Sequence, residues 1–232
     1  QIVHEHLVTK GVELHLGEGV VAFESNNDRI DVVLSSQKSI AADIVILSIG
    51  VRPTTTLARD AKIALGEVGG VRVDSFMQTS ADGVYAVGDA VEFEHPLLNK
   101  PWLNLLAGPA NRQARIAADN MVFGNHTEYE GSIGTAIAKV FDITVASTGV
   151  PAKRLRELNI PYLTATIHPN SHAQYYPGAM PMTIKVVFSP DNGKLYGAQI
   201  VGVEGVDKRI DSYAMAIKQG LSITALMEIE HA

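Results

Sequence analysis

Residues 79–89, TSADGVYAVGD, constrain the fold of this chain more than any other stretch. Residues 81–83 are typical of a turn, and residues 84–87 are too few for a helix but rich in β-formers, so they predict a short buried strand. Gly88 and Asp89 then stand at the carboxyl end of that strand. Ligands bind at such ends in open α/β sheets, where Gly permits close approach of a ligand. Two interpretations stay open: a strand-ending turn, or half of a site in which Asp89 accepts hydrogen bonds from a hydroxyl.

Composition limits the class of protein. The 232 residues are 46% hydrophobic and 19% charged, which predicts one or two globular domains with a real core. A net charge of -6 without a basic stripe argues against nucleic acid as a partner. No apolar run reaches the roughly 18 residues needed to cross a membrane, so we expect no membrane partner. The absence of cysteine fits a cytoplasmic location.

Cysteine is absent, which excludes disulfides, thiolate metal sites and thiol catalysis within these residues. The spacing of the eight histidines does not suit zinc either, so no metal site is expected. The sequence starts without Met on what resembles the last turns of a helix, and it stops without a capping residue. We therefore expect a piece of a longer protein.

The first half is expected to alternate short strands and helices. Strands are predicted at residues 12–16, 19–23, 29–34, 42–47 and 71–74, and a helix is predicted at residues 54–61. Residues 42–47 are almost continuously apolar, which indicates a strand buried on both faces. The GEGVVA pattern at residues 17–22 is rejected as a dinucleotide loop, because a strand and not a helix follows it.

A helix that could bind an anion is predicted further along the chain. Residues 94–102 are interpreted as a surface loop, and residues 111–123 as a helix with Gly108 at the cap and Pro109 at its first position. The positive end of that helix is able to stabilise an anion. The alternative is an ordinary packed helix.

The character of the sequence changes after Gly124. Strands are predicted at 135–140, 143–147, 162–167, 182–188 and 195–203, with helices at 151–158, 207–219 and 223–229. This order predicts an antiparallel sheet with helices on one side. Between two of these strands, Tyr175 and Tyr176 stand before a Pro-Gly turn, where a phenol can donate a hydrogen bond to a ligand or a thiolate. Two aromatics that merely anchor a loop are the alternative.

Three stretches together resemble the FAD-dependent pyridine nucleotide-disulfide oxidoreductases. Residues 79–89 resemble their second flavin-binding motif, and residues 43–53 resemble the return from the nicotinamide domain to the FAD domain. Residues 106–113, LAGPANRQ, are similar to the branch that reduces coenzyme A disulfide or persulfide, as are YYPG at 175–178 and GVDKRID at 205–211. Ala114 departs from that pattern, since Gly is expected there.

The resemblance implies a fold class and a domain organisation. The fold is α/β plus α+β: an incomplete FAD/NAD(P)-binding Rossmann-like portion, then an antiparallel-sheet dimerisation domain. Residues 1–51 would end the NAD(P)H-binding domain, and residues 52–123 would be a C-terminal segment of the FAD-binding domain. Residues 124–232 would form the dimerisation domain, truncated at its end, so the expected partner is a second copy in a homodimer.

The resemblance also implies site residues. FAD would be held by Thr79, Gly88, Asp89, Leu106, Ala107 and Gly108, with Asp89 on the ribityl chain and Ala107 at the pyrimidine edge. Asn111 and Arg112 would contact the coenzyme A substrate, a disulfide or persulfide. Tyr175 or Tyr176, from the partner subunit, would act near its thiol. NAD(P)H would be the reductant of the intact protein.

The resemblance further implies that the Gly-rich loops for FAD and the nicotinamide and the redox Cys lie before Gln1, and that a tail with another tyrosine follows Ala232. The chain alone is therefore expected to be inactive, although able to dimerise. Two alternatives are a fragment of a water-forming NADH oxidase or NADH peroxidase, and a dimerisation module without catalysis.

Overall fold

The first 51 residues form one unit built on an antiparallel meander in the computed structural model, which describes residues 1–230. Helix α1 (Ile2–Thr9) precedes strands β1 (Val20–Asn26), β2 (Arg29–Leu34) and β3 (Ser39–Ala42), in the order β1-β2-β3. Asn27 and Asp28 join β1 to β2, and Asn27 has a φ of 53°, a left-handed conformation that Asn tolerates. The strands predicted at 19–23 and 29–34 are confirmed.

The second unit begins at Arg52 with a small mixed sheet and a long helix. Up to residue 123 its elements are α2 (Thr56–Asp60), β4 (Val71–Arg72), a 3-10 turn at Gly88–Ala90, β5 (Val91–Glu94), β6 (Pro101–Trp102) and α3 (Ala107–Phe123). Strand β5 pairs in parallel with β4 and antiparallel with β6. The apolar cluster beside this sheet includes Met77, Phe93 and Ile116.

A five-stranded antiparallel sheet makes up the rest of this unit. Its elements are β7 (Ala136–Val140), β8 (Ile143–Gly149), α4 (Ala152–Glu157), β9 (Leu163–Ile167), β10 (Met182–Phe188), β11 (Leu195–Gly202), α5 (Val206–Lys218) and α6 (Ile223–Met227). The strand order is β7-β8-β11-β10-β9. Helix α5 lies on β8 and β11, where Ile200, Ile210 and Ile217 are almost fully buried. The predicted antiparallel sheet with packed helices is confirmed.

A buried asparagine ties α3 to the chain on either side of it. Asn120 is 1% exposed, and its amide nitrogen donates to the carbonyl oxygens of Phe76 (3.0 Å) and Thr127 (2.9 Å). Its carbonyl oxygen accepts from the backbone N–H groups of His126 (3.1 Å) and Thr127 (3.0 Å). All four bonding positions of the amide are thus used, which is the condition for burying such a group without loss of stability.

Three predicted strands are wrong. Residues 12–16 and 84–87 form no strand, and of residues 42–47 only Ala42 belongs to one, the end of β3. Ile44 and Ile46 are 80% and 85% exposed instead of buried on both faces. An extended apolar run becomes a strand only where a neighbouring strand receives its hydrogen bonds. Among residues 1–230 the only pairing of these three runs outside β3 is an isolated bridge between Gln78 and Tyr85.

The segment expected to be a surface loop is also different. Within residues 94–102, Glu94 ends β5, Pro101 and Trp102 form β6, and His95 is 1% exposed. The His95 Nδ1 accepts from the backbone N–H of Leu97 at 3.1 Å, and the ring meets Trp102 edge-on at 4.8 Å. Burial lowers the pKa of His95 to about 4, so this histidine is a neutral core residue.

Helix α3 starts four residues before its predicted beginning. Leu106, not Gly108, is its N-cap, and Pro109 is the third helical residue and not the first. Gly124 ends the helix with a φ of 84°, as predicted. The second unit is continuous across residue 124, and the domain boundaries predicted from the sequence stay predictions.

Replacement of Asn120 by Ala is expected to lower the free energy of unfolding by about 2–4 kcal/mol, because it leaves four backbone groups without partners. Urea denaturation of the chain measures this change. The control is Asp119→Ala, at an exposed neighbouring position, which we expect to stay within about 0.5 kcal/mol of the original. Equal effects of the two substitutions would contradict the bracing role of Asn120.

His95 predicts a specific dependence of stability on pH. Its pKa in the folded chain lies below the value of about 6.5 in an unfolded chain, so the unfolded state binds more protons between pH 6.5 and 4. The free energy of unfolding should therefore fall as the pH falls through this window, by up to about 3 kcal/mol from this group. In His95→Asn the side-chain oxygen can replace Nδ1 as acceptor, and that part of the slope should vanish. Parallel stability–pH curves for the two proteins would refute the assignment.

Candidate functional site

The Gly88–Asp89 turn is held against α3 by one hydrogen bond. The backbone N–H of Gly88 donates to the side-chain oxygen of Gln113 at 2.7 Å, and Gln113 is 1% exposed. Gly88 has a φ of 84°, in the left-handed region that Gly adopts at little cost. Asp89 lies in the 3-10 turn that Gly88 begins, and Asp89 is exposed. A fixed backbone therefore presents an accessible carboxylate.

Thr79 shapes the turn that leads to Gly88. Its Oγ1 accepts from the N–H of Ala81 at 3.2 Å, and its own N–H donates to the carbonyl of Val84 at 2.8 Å. Thr79 is half-buried, and these contacts are internal to the turn. It supports the conformation of the segment, which agrees with a place beside the candidate ligand site without giving it a direct contact.

The N-terminus of α3 lies open beside this turn. Leu106 adopts an extended conformation as N-cap and makes no side-chain capping bond, and the first turn carries no acidic residue. Ala107 and Gly108 are exposed. The first N–H groups of a helix have no partner within it and carry partial positive charge. A Cβ built on Gly88 would lie 3.9 Å from the Cβ of Ala110, so the turn and the first turn of α3 are neighbours.

The donor and acceptor set suits a ligand with two chemical ends. Asp89 can accept from hydroxyl groups, and the N–H groups of Ala107 and Gly108 can stabilise a heteroatom that gains negative charge. The left-handed turn at Gly88 leaves room for close approach of such a ligand to the backbone. Four predicted cofactor residues, Gly88, Asp89, Ala107 and Gly108, thus come together, with Leu106 as the cap and Thr79 in the supporting turn.

The two predicted substrate residues differ in whether their side chains are already engaged in hydrogen bonds. The Asn111 amide nitrogen donates to the carbonyl of Ala107 at 2.9 Å, so this side chain already braces the first turn of α3. Arg112 is exposed and lines a cleft of about 460 Å³ between α3 and α5, together with Tyr129, Met215 and Lys218. Within residues 1–230 the buried Tyr129 hydroxyl forms no hydrogen bond of good geometry, although polar side chains, Gln113 among them, lie close to it. Burial raises the pKa of Tyr129, while the nearby Gln113 amide and the charge of Arg112 oppose this rise.

Tyr175 and Tyr176 lie elsewhere, on the loop between β9 and β10. Their exposed fractions are 92% and 65%. Within residues 1–230 no hydrogen bond or ring contact joins either tyrosine to the turn at Gly88 or to α3. The predicted catalytic pair and the predicted cofactor residues are therefore not brought together by the contacts of a single chain.

Gln113 is a residue of the site that sequence reasoning missed. The buried face of α3 consists of Gln113, Ile116, Ala117 and Asn120, which follow the spacing of one helical face. Two amides on an otherwise apolar helix face indicate that buried backbone groups of other segments need hydrogen-bonding partners. That signal was present in the sequence, but it does not reveal which backbone groups those are.

Neither a metal cluster nor a membrane-spanning helix is found among the described residues. Across residues 1–230, no three histidine or carboxylate side chains are grouped so that they could share a metal ion. In the same part of the chain, no helix is both long and apolar enough to cross a membrane.

Comparison with known proteins decides the family. The sequence profile of the pyridine nucleotide-disulphide oxidoreductases matches residues 1–117, and the profile of their dimerisation domain matches residues 135–232. The chain belongs to this family. The resemblance stated from the motifs is confirmed, and so is the fold class, a Rossmann-like portion followed by an antiparallel dimerisation domain.

Three individual relatives are similar to this chain over its whole length. The coenzyme A disulfide reductase of Staphylococcus aureus strain bovine RF122 / ET3-1 is 30% identical over all 232 residues. The structure of reduced Bacillus anthracis CoADR-RHD is 44% identical with a TM-score of 0.94, and the match covers 100% of this chain and 41% of that one. An NAD-dependent persulfide reductase from A. fulgidus is 34% identical with a TM-score of 0.95, covering 100% and 42%. The chain spans about half the length of the curated relatives it matches, 52% in the Staphylococcus aureus protein.

Gln113→Leu is expected to release the Gly88 turn, because leucine has a similar size but no acceptor for the Gly88 N–H. Amide hydrogen exchange at Gly88 should accelerate at least tenfold, which corresponds to a loss of about 1.4 kcal/mol of protection. Gln113→Glu, whose carboxylate can still accept that bond, serves as the conservative control and should retain most of the protection. Slow exchange in the leucine variant would show that the turn does not depend on Gln113.

Proposed function

We propose that this chain is part of an FAD-dependent NAD(P)H oxidoreductase that reduces coenzyme A disulfide or a coenzyme A persulfide. One observation carries the proposal: the exposed Asp89 and the uncapped N-terminus of α3 are fixed side by side through Gln113 and Gly88. Relatives that share this stretch bear the names coenzyme A disulfide reductase and persulfide reductase, which supports the choice of substrate.

The residues of the site fit the two ends of a flavin. Asp89 would hold hydroxyl groups of the ribityl chain, and the N–H groups of Ala107 and Gly108 would face the pyrimidine edge, where negative charge collects on reduction. Leu106 sets the extended backbone from which the helix starts, and Thr79 fixes the turn beneath it. Bound FAD would supply the two-electron carrier between the nicotinamide and the sulfur–sulfur bond.

The remaining predicted residues take substrate roles in this proposal. Arg112 is exposed and free to meet the phosphates of coenzyme A, whereas Asn111 acts mainly through the first turn of α3. Tyr175 and Tyr176 would provide a phenol to the site of a partner subunit, since among the residues that the structure describes no hydrogen bond or ring contact joins them to the Gly88–Asp89 turn. Residues 124–232 would form that homodimer, and the protein would work in the cytoplasm.

The reacting thiol is outside these 232 residues, which contain no cysteine. The proposal therefore assigns cofactor binding, dimerisation and substrate contacts to the chain, and it expects the chain alone not to turn over coenzyme A disulfide.

Replacement of Asp89 by Ala should weaken FAD binding at least tenfold, because the lost charge-assisted hydrogen bonds are worth about 1.5–3 kcal/mol. The test uses the complete product of the gene that encodes these residues, here called the complete gene product. Flavin fluorescence measures how much FAD it retains. The matched control, Asp82→Ala, removes an exposed carboxylate from the same stretch and should leave FAD binding unchanged. Equal retention of FAD in both variants would refute the role of Asp89.

A second experiment tests the reaction itself. Consumption of coenzyme A disulfide is measured under nitrogen, and consumption of oxygen is measured in air, each first with NADH and then with NADPH. Both assays are carried out on the complete gene product and on the 232-residue chain. The proposal expects anaerobic disulfide reduction only by the former. Oxygen consumption without disulfide reduction would identify an oxidase instead, and turnover by the 232-residue chain alone would contradict the placement of the thiol.

A further inference from the structure

The tyrosine loop between β9 and β10 is organised by hydrogen bonds at its base. The backbone N–H of Ser171 donates to the carbonyl of Met180 at 2.8 Å, and the N–H of Met180 donates to the Ser171 Oγ at 3.1 Å. The N–H of Met182 also donates to the carbonyl of Pro169 at 2.8 Å. The two sides of the loop are thus closed where they leave the sheet, which fixes the direction in which its tip leaves β9 and β10.

His172 connects this base to the tip. Its Nδ1 lies 3.2 Å from the Ser171 Oγ, and its Nε2 lies 3.3 Å from the carbonyl oxygen of Pro177. A carbonyl oxygen only accepts, so Nε2 carries the proton. Nδ1 of a neutral imidazole then accepts from the Ser171 hydroxyl, whose oxygen is free to accept from Met180. The four groups form a one-directional relay that specifies the Nε2–H tautomer of His172.

The same ring touches one of the two tyrosines. The centroids of the His172 and Tyr176 rings are 5.8 Å apart, and their planes meet at 72°, which is an edge-to-face contact. The N–H of Tyr176 also donates to the carbonyl of Ala173 at 3.0 Å. Tyr175, at 92% exposed, has no ring contact or hydrogen bond assigned within residues 1–230. Of two adjacent phenols, Tyr176 is therefore the one whose position the fold determines.

We infer that His172 is a positioning residue for Tyr176: the hydrogen bonds to Ser171 and Pro177 hold the imidazole, and the edge-to-face contact between the two rings holds the phenol. The functional part of this inference rests on the proposed function, in which a phenol of this loop acts near the coenzyme A sulfur. An exposed tyrosine samples several rotamers, and a fixed neighbouring ring reduces that freedom before the substrate binds.

The tautomer of His172 can be measured on the 232-residue chain. At pH 8, two-bond proton–nitrogen correlation spectra should show a protonated Nε2 and an unprotonated Nδ1. Ser171→Ala removes the hydroxyl donor to Nδ1 but leaves the Pro177 carbonyl as acceptor for Nε2–H, so the same tautomer should persist while the nitrogen chemical shift of Nδ1 moves toward that of an unbonded ring nitrogen. His168, whose Nδ1 lies 3.0 Å from the Thr183 Oγ1 outside the relay, provides the reference signal, which should not change in that variant. A pure Nδ1–H tautomer at His172 would overturn the inference.

The role of His172 in catalysis is tested by a double-mutant cycle in the complete gene product. His172→Ala should lower kcat for coenzyme A disulfide about tenfold, whereas in the Tyr176→Phe background the same change should lower kcat less than twofold. Gln174→Ala, an exposed position on the same loop, is the control and should leave kcat unchanged. FAD content and sedimentation of every variant should match the original protein, which separates loss of positioning from loss of fold.

The outcomes distinguish failure of the positioning role of His172 from failure of the proposed function. Independent, multiplicative effects of His172→Ala and Tyr176→Phe would overturn the positioning role even if the enzyme reduces coenzyme A disulfide. No reduction of coenzyme A disulfide by the unchanged protein would overturn the proposed function, and the tautomer of His172 would still decide whether the relay exists.

Discussion

The hydrogen bond from Gly88 to Gln113 is the interaction on which the candidate site depends. It joins a turn that has little regular structure of its own to a helix that is anchored in a core. Without it, the carboxylate of Asp89 and the helix N-terminus at Ala107 would belong to independent segments. With it, an acceptor and a set of backbone donors keep one geometry, which is what binding of a cofactor with hydroxyl and heterocyclic ends requires. The buried position of Gln113 makes this bond stronger than the same bond in water.

Buried amides perform the same task twice in α3. Gln113 fixes the turn before the helix, and Asn120 fixes the segments around Phe76 and Thr127. Both lie on one face with Ile116 and Ala117, so the apolar contacts of the helix and its polar cross-links are formed together. Such an arrangement makes the helix a rigid base for the site. Loss of either set of hydrogen bonds would destabilise the fold, because a buried amide would be left unsatisfied.

The site and the tyrosine loop illustrate two levels of organisation. The Gly88–Asp89 turn is completed by contacts within one chain, whereas Tyr175 and Tyr176 lie on a separate loop whose order comes from Ser171 and His172. The profile of the dimerisation domain matches the part of the sequence that carries this loop, which supports the proposal that the loop acts in a second copy of the chain. Residues that share a reaction need not share a chain when a domain serves to bring two copies together.

Part of the fold follows from local chemistry along the chain. The strands at residues 19–23, 29–34 and 182–188 and the end of a helix at Gly124 follow from propensities of a few adjacent residues, and they are correct to within a few positions. Tertiary structure decided the rest. Residues 84–87 and 43–47 have the composition of strands, but among the described residues they pair with no neighbouring strand beyond the single bridge between Gln78 and Tyr85. Composition does not encode such neighbours. The start of α3 at Ala107, the burial of His95 and the pairing of Gln113 with Gly88 likewise depend on residues far apart in sequence, whose approach is set by packing and not by local preference.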